Sequence, residues 1–359
     1  MFRIATRALC RKNLSLSLSP SSSTTFQKRH AEDEKSNLSN DGKKSRVNSI
    51  KKYWLFRYVD YVKNYDQVLE KNFPKTMHVY RVFSVGTKVF YEDLKRYIKV
   101  RKKIKQCGMR ALTREELQLM FTMPKDLMKI SPVLLISAIP FTNYIIFPLV
   151  FYFPHLLLTS HYWSIEDKLK FMLKEHKKKL LYNKPLFRCL QKQVSSVKDA
   201  RLKGELQNVV ACLGSGTHPT VNSILSCKVL FSGPPYSLSC IKRRHVKMLL
   251  KIHGMSTLGL WNKRRLLKRG LLVKQMDEAI QKEGGVTKLP YDALRWAVSF
   301  RGVNPVNMSD ESMQNWLGKW LAISSQVDEC SISLLLHSPI LLAYNYETNW
   351  TLLYHDKKK

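Results

Sequence analysis

Apolar residues recur at helical spacing along most of this chain. They stand three or four positions apart over residues 53–69 and 79–105, with Lys and Arg between them in the second stretch. Residues 238–253 and 261–279 repeat this alternation of apolar and basic positions. The pattern predicts an all-α protein in which residues 51–130 form amphipathic basic helices and residues 163–359 form a second helical domain.

One stretch departs from this pattern because it lacks charge. No Asp, Glu, Lys or Arg occurs between Lys129 and Glu166, and residues 132–158 are rich in Leu, Ile and Phe. That length exceeds the about 20 apolar residues that span a bilayer. We predict a single proline-kinked transmembrane segment over residues 131–158, marked by Pro140, Phe141, Asn143, Pro148 and Pro154. A re-entrant hairpin broken at Pro148 and a buried soluble helix are the alternatives.

The N-terminal residues have the composition of a targeting segment. Residues 1–30 contain no acidic residue, and Arg and Lys are interspersed there with Ser, Thr and a few apolar residues. This composition is typical of a mitochondrial transit peptide, and a disordered basic tail is the alternative. Residues 31–50 are polar and of mixed charge, so we predict a linker there.

Several helix boundaries can be predicted downstream of the apolar stretch. Ser164 and Ser309 each precede a helical pattern with acidic residues in its first turn, as N-caps do. Pro290 suits the first turn of a helix that Gly302 closes with a positive φ. We expect residues 185–213 to continue helically up to a turn at 214–219, and we expect tryptophans at helical spacing to be core residues. Residues 332–342 are too short to span a membrane and predict a docking helix.

Charge restricts the class of partner. The 359 residues contain 61 Lys+Arg against 27 Asp+Glu, a formal net charge of +34, which favours an anionic partner such as nucleic acid or an anionic lipid surface. The two strongest clusters lie on the helices predicted at 238–253 and 261–279. We predict that the binding face consists of five residues: Arg243, Arg244, Lys263, Arg264 and Arg265.

No pattern of catalytic or metal-binding residues is present. The 7 Cys form no CxxC pair, and the 10 His are dispersed without an HExxH motif, so surface histidines such as His245 and His253 are expected. We therefore predict no enzymatic activity, no catalytic residues, no metal and no cofactor.

At the level of motifs, the chain resembles the LETM family of mitochondrial inner-membrane proteins. The resemblance rests on the proline-punctuated stretch 139–156, on Gly216-Thr217-His218-Pro219, on Phe300-Arg301-Gly302 and on residues 316–321 (WLGKWL). It implies a 14-3-3-like helical LETM domain of the ribosome-binding type, located in the matrix and attached to the inner membrane by a single span. It also implies association with mitochondrial ribosomes and support of mitochondrial structure, translation and respiratory-chain biogenesis.

Two functions from different classes follow. In the first, the chain is a membrane-anchored binding module whose partners are the mitochondrial ribosome and an anionic inner-membrane lipid such as cardiolipin. In the second, it is a cation/proton exchange component or a regulator of ion homeostasis, assembled as a homo-oligomer around the kinked span. Long family members are linked to such exchange, but this chain has Asn143 where they place an acidic residue. An amide cannot carry a proton, so we favour the first function. A weaker third interpretation treats the helical hairpin around Gly302 as a nucleic-acid module.

Overall fold

The computed structural model describes residues 74–137, 149 and 153–354, and every regular element within them is helical. The predicted all-α class is therefore confirmed for this part of the chain. The helices are α1 (Pro74–Cys107), α2 (Arg114–Ser137), α3 (Pro154–Leu157), α4 (Ile165–Leu180), α5 (Asn183–Val194), α6 (Ala200–Gly214), α7 (Val221–Ser226), α8 (Lys228–Ser232), α9 (Arg243–Ile252), α10 (Asn262–Lys282), α11 (Tyr291–Phe300), α12 (Asp310–Gln326), α13 (Ile332–Ala343) and α14 (Glu347–Tyr354). Short 3₁₀ turns occur at Met109–Ala111, Ser160–Tyr162 and Val286–Lys288.

Most of the predicted membrane segment lies outside the described residues. Helix α2 ends within it at Ser137, and α3 begins at Pro154. Pro140, Phe141, Asn143 and Pro148 fall between them. None of the described helices has the length and apolar character needed to cross a membrane. The transit peptide, the linker and the helix predicted over 53–69 also lie outside the described part and stay predictions.

Local sequence signals place several helix ends correctly. The Ser164 hydroxyl accepts the Asp167 backbone N–H at the start of α4, and the Ser309 hydroxyl accepts that of Ser312 at the start of α12. The predicted long helix over 79–105 is present as α1. The helix expected over 185–213 is instead two helices, because the chain leaves the helix at Ser195 and restarts after Asp199, whose carboxylate caps α6.

Helix α13 lies at the centre of the fold, which corrects its prediction as a docking helix. All 12 of its residues are buried. It contacts α5, α8, α9, α10 and α12, so it is the element that the others surround. A Cβ at Gly270 of α10 would lie 2.7 Å from Ile332 Cγ1, so the two helices cross at a glycine. An almost wholly apolar segment of this length is therefore a core helix here.

Two features of the 290–326 hairpin are as predicted. Gly302 has a φ of 109°, and an added Cβ would meet Pro339 Cβ at 3.2 Å, so both conformation and space favour glycine. Trp316 and Trp320 are buried in the main core, as expected for aromatics at helical spacing. Pro290 differs slightly, because it precedes α11 instead of lying in its first turn.

A buried ion pair joins three of these helices. The Asp277 carboxylate on α10 accepts the Arg301 guanidinium, whose Nε lies 3.0 Å from Oδ1. It also accepts Trp320 Nε1 at 3.0 Å and the Ser324 hydroxyl at 2.5 Å, while Arg301 Nη1 donates to the Ala297 carbonyl at 2.8 Å. Both charged side chains are buried, so the pair is held by hydrogen bonds on both sides.

Candidate anion-binding surface

The first part of the candidate surface is the start of α9. This helix begins at Arg243, five residues later than the pattern predicted, because Ser237–Cys240 form a turn that ends with Ile241 donating to the Ser237 carbonyl. Arg243 and Arg244 are exposed, while the opposite side buries Val246, Leu249 and Leu250. The helix start has neither a side-chain cap nor an acidic residue in its first turn. Its unpaired N–H groups and the two arginines therefore add their positive potential.

The second part is the start of α10, which has the same character. Lys263 and Arg264 are exposed in its first turn, with no acidic residue and no side-chain cap. The Arg264 guanidinium lies 4.4 Å from the centroid of the Trp261 ring, a cation–π contact that orients it without neutralising it.

A hydrogen bond brings the two helix starts together. Lys263 Nζ donates to the backbone carbonyl of Ser239 at 2.5 Å, and Ser239 lies just before α9. We call the four exposed cations of these two helix starts the basic surface: Arg243, Arg244, Lys263 and Arg264. Within the described residues, no carboxylate lies at ion-pair distance from any of them. The arrangement can therefore bind phosphate groups without first breaking an internal ion pair.

Arg265, the fifth residue of the predicted face, is placed differently. Its side chain is half-buried, and Nη1 donates to the carbonyls of Ser256 and Leu258 at 2.9 and 3.3 Å and to Asn262 Oδ1 at 3.1 Å. The guanidinium thus braces the loop between α9 and α10. Its position in the sequence cannot distinguish it from Arg264, because the difference depends on where the loop folds back.

That braced loop presents apolar side chains to solvent, a feature that helical periodicity does not reveal. Leu258, Leu260 and Trp261 are 85%, 82% and 67% exposed. We call these three residues the apolar tip. Trp261 has a φ of 63°, a left-handed conformation that is strained for a bulky side chain. The sequence signal was present as an LGLW motif between two basic helices, with apolar residues where a connecting loop is normally polar.

The histidines near this surface are buried, and the prediction that they lie on the surface is wrong. His245 Nε2 lies 2.8 Å from His337 Nε2, and His337 Nδ1 donates to the Ser333 carbonyl at 2.6 Å. This bond makes His337 Nε2 the acceptor and His245 the donor. Burial lowers the pKa of His245 to about 3 and that of His337 to about 4, so both are neutral.

His176 is also buried, and His253 at the end of α9 is partly buried. His253 donates to the Leu336 carbonyl at 2.9 Å, and His176 contacts Asn349 Oδ1 at 3.3 Å. Burial lowers their pKa values to about 3 and about 4. No group of three His, Cys, Asp or Glu side chains in the described part of the chain is arranged to hold a metal ion. Helical spacing does indicate the burial of His245, because it lies four residues after Ile241 and four before Leu249, both of which are buried.

Comparison with known proteins shows which family and which relatives the chain is similar to. The family model described as "LETM1-like, RBD" matches residues 112–341, which include α9, α10 and most of α13. The chain is 28% identical over 289 residues to the human LETM1 domain-containing protein 1, covering 79% of each chain. It is 27% identical over 286 residues to the Xenopus tropicalis protein of the same name, covering 79% of this chain and 81% of that protein. No solved structure matches the chain.

Proposed function

Because the chain belongs to the LETM1-like RBD family, we propose that it is a mitochondrial inner-membrane protein whose helical domain binds mitochondrial ribosomes from the matrix side. In this proposal the apolar stretch 131–158 attaches the chain to the membrane, and the transit-like residues 1–30 direct it to mitochondria. The protein would support mitochondrial structure, translation and respiratory-chain biogenesis as a binding module without enzymatic activity.

One observation carries the binding proposal: two uncapped helix starts lie side by side, and their arginines and lysine have no carboxylate partner among the described residues. Cations near a helix N-terminus are unfavourable by roughly 0.3–1 kcal/mol each, because they face the positive end of the helix dipole. A sequence selected for stability alone would place acidic residues there, as α4 and α12 do. An anionic partner turns this unfavourable arrangement into attraction, which supports a role of the basic surface in binding.

The polyanion that best fits the family and the proposed location is ribosomal RNA, together with the proteins that cover it. Phosphate contacts are made by Arg and Lys and release counterions, so such binding weakens steeply as salt rises. An anionic lipid such as cardiolipin carries the same phosphate chemistry and is the second partner that we propose, for the membrane-facing part of the domain.

The test is co-sedimentation of the detergent-solubilised full-length protein with mitochondrial ribosomes between about 50 and about 200 mM salt. We compare the wild type with an Arg243→Glu/Arg244→Glu double variant. Both arginines are exposed and make no ion pair with a described residue, so the fold should be retained. We expect salt-sensitive co-sedimentation of the wild type. The variant should bind more weakly, and its salt slope should be smaller by about 1 for each phosphate group that it no longer binds.

The matched control reverses the same number of charges at the other end of α10. Lys282→Glu/Lys288→Glu alters two exposed lysines that flank the C-terminus of that helix. A helix of 21 residues is about 30 Å long, so this control lies far from the basic surface. Equal loss of binding in both double variants, or no co-sedimentation at low salt, would contradict the proposal.

A further inference from the structure

The apolar tip exposes three large apolar side chains within four consecutive residues. Leu258 and Leu260 are almost fully exposed, and Trp261 is two-thirds exposed. Burying one such side chain contributes about 1.5–3 kcal/mol, a gain that this loop does not make within its own chain. Clustered exposed apolar residues rimmed by charge are typical of interaction sites.

Hydrogen bonds from one arginine hold the loop in this exposed conformation. Arg265 Nη1 donates to two of its carbonyls and to Asn262 Oδ1, at distances of 2.9 to 3.3 Å. A Cβ at Gly259, whose φ is 125°, would lie 3.4 Å from the same nitrogen, so the chain passes close to the guanidinium there. The strained φ of Trp261 persists because this framework and the start of α10 determine it. The tip is therefore organised before any partner binds.

Positive charge lies beside the apolar tip. Arg264 stacks on Trp261, and Lys263 follows it on the first turn of α10. Arg243 and Arg244 start the neighbouring helix, which the Lys263–Ser239 hydrogen bond holds beside α10. Any partner of the tip must accept aliphatic side chains at its centre and supply negative charge at its edge.

We propose that the apolar tip inserts into an anionic bilayer, with Leu258 and Leu260 in the acyl region, Trp261 at the interface, and Lys263 and Arg264 on lipid phosphates. Indole rings prefer the interfacial region, and each Lys or Arg near an anionic membrane contributes about 1 kcal/mol. The inference rests on the proposed membrane location and assigns the lipid contact to one loop.

Two other occupants fit less well. RNA offers bases that stack on aromatic rings, but two of the three tip residues are leucines, which have no flat ring to stack. A second copy of this chain would bring two basic surfaces together, and like charges repel. The bilayer accepts both the aliphatic and the cationic parts.

The test uses quenching of tryptophan fluorescence by brominated lipid. Full-length protein is reconstituted in vesicles of brominated phosphatidylcholine, either pure or with about one phosphatidylglycerol in five lipids. The quenching that disappears in a Trp261→Phe variant reports Trp261 alone. Trp350→Phe is the matched control, because Trp350 is 41% exposed and lies on α14.

We expect Trp261 to be quenched in the anionic vesicles, and we expect this quenching to be lost in a Leu258→Ser/Leu260→Ser variant. That variant retains every charge. Both leucines are exposed, so the fold should be unchanged, and thermal unfolding checks this. Absence of Trp261 quenching in anionic vesicles would overturn the inference. A change in Trp261 fluorescence on adding ribosomal RNA, without lipid quenching, would assign the loop to RNA instead.

Failure of the bilayer inference can be distinguished from failure of the ribosome proposal. The Leu258→Ser/Leu260→Ser variant should co-sediment with ribosomes through its intact cations. Loss of lipid quenching together with retained co-sedimentation in this variant is the result expected if both proposals hold.

Discussion

Two charged side chains are paired in the interior of this domain, whereas those of the basic surface have no carboxylate partner among the described residues. In the interior, Asp277 and Arg301 are paired and fully hydrogen-bonded, and the buried histidines are kept neutral. At the starts of α9 and α10, cations lie next to uncapped N–H groups and have no carboxylate partner among the described residues. Matched charge stabilises the fold, whereas unmatched charge at a helix start reduces stability and is useful when an anion binds.

The largest expected effect is the loss of stability in acid, where the buried neutral histidines oppose protonation. The pKa values of His176, His245, His253 and His337 are about 4, 3, 3 and 4 in the folded state, against about 6.5 when unfolded. At a pH between the folded and the unfolded pKa values, these histidines bind protons only in the unfolded chain. The free energy of unfolding should therefore be unaffected by these groups above about pH 7.5, and should fall by about 1 kcal/mol per pH unit and histidine below about pH 6.5.

Urea unfolding of the full-length protein at pH 8.5, 7.5, 6.5, 5.5 and 5 measures this slope. The interval from pH 8.5 to 7.5 is the internal control, since the histidines should contribute almost nothing there. Equal unfolding midpoints at pH 5 and 7.5 would show that these side chains are not buried in the neutral form.

The second-largest effect is expected when the buried ion pair between Asp277 and Arg301 is broken. Asp277→Ala leaves the Arg301 guanidinium buried without its carboxylate, so we expect the free energy of unfolding to fall by about 3–5 kcal/mol. The control is Asp292→Ala, an exposed carboxylate in the first turn of α11, which should cost at most about 1 kcal/mol. The double variant Asp277→Leu/Arg301→Met should be more stable than Asp277→Ala, since no unpaired charge remains. Similar losses in the two carboxylate variants would argue against a buried pair.

The smallest effect compares the two kinds of helix start directly. Ser309→Ala removes the cap of α12 and should cost about 1 kcal/mol. Lys242→Ser provides a cap at α9, where Lys242 contributes none, and should stabilise the domain by up to about 1 kcal/mol. Chemical unfolding of both variants measures the difference. If Lys242→Ser destabilised the protein, the uncapped start of α9 would be serving the fold and not a partner.

Local chemistry explains which sequence predictions held. The hydroxyls of Ser164 and Ser309 bond to backbone N–H groups three residues away, and the conformation of Gly302 follows from the turn that it closes. Such features depend on a few neighbouring residues, so a single sequence is enough to predict them. The family resemblance held for a similar reason, because short motifs at residues 216–219, 300–302 and 316–321 lie within the matched region.

The predictions that failed depended on what packs against an element. Residues 332–342 have the same apolar pattern in a docking helix as in a central one, and only the surrounding helices made α13 the centre. His245 lies four residues before Leu249 on the apolar side of α9, but its partner His337 comes from the distant α13. Arg264 and Arg265 are adjacent, but only Arg265 donates hydrogen bonds to the carbonyls of the folded-back loop. Contacts between distant segments decide which helix is central and which partner a side chain meets, and spacing along the chain does not encode these contacts directly.

By itself, the sequence determined the helical class, the caps, the glycine turn, the strong positive charge and the family to which the chain belongs. All of these depend on residue type and short-range spacing. Only the tertiary structure decided that α13 forms the centre, that three histidines are buried and a fourth is partly buried, and that two basic helix starts lie beside a braced apolar loop. These features depend on long-range packing, which sets the burial and the partners of every side chain.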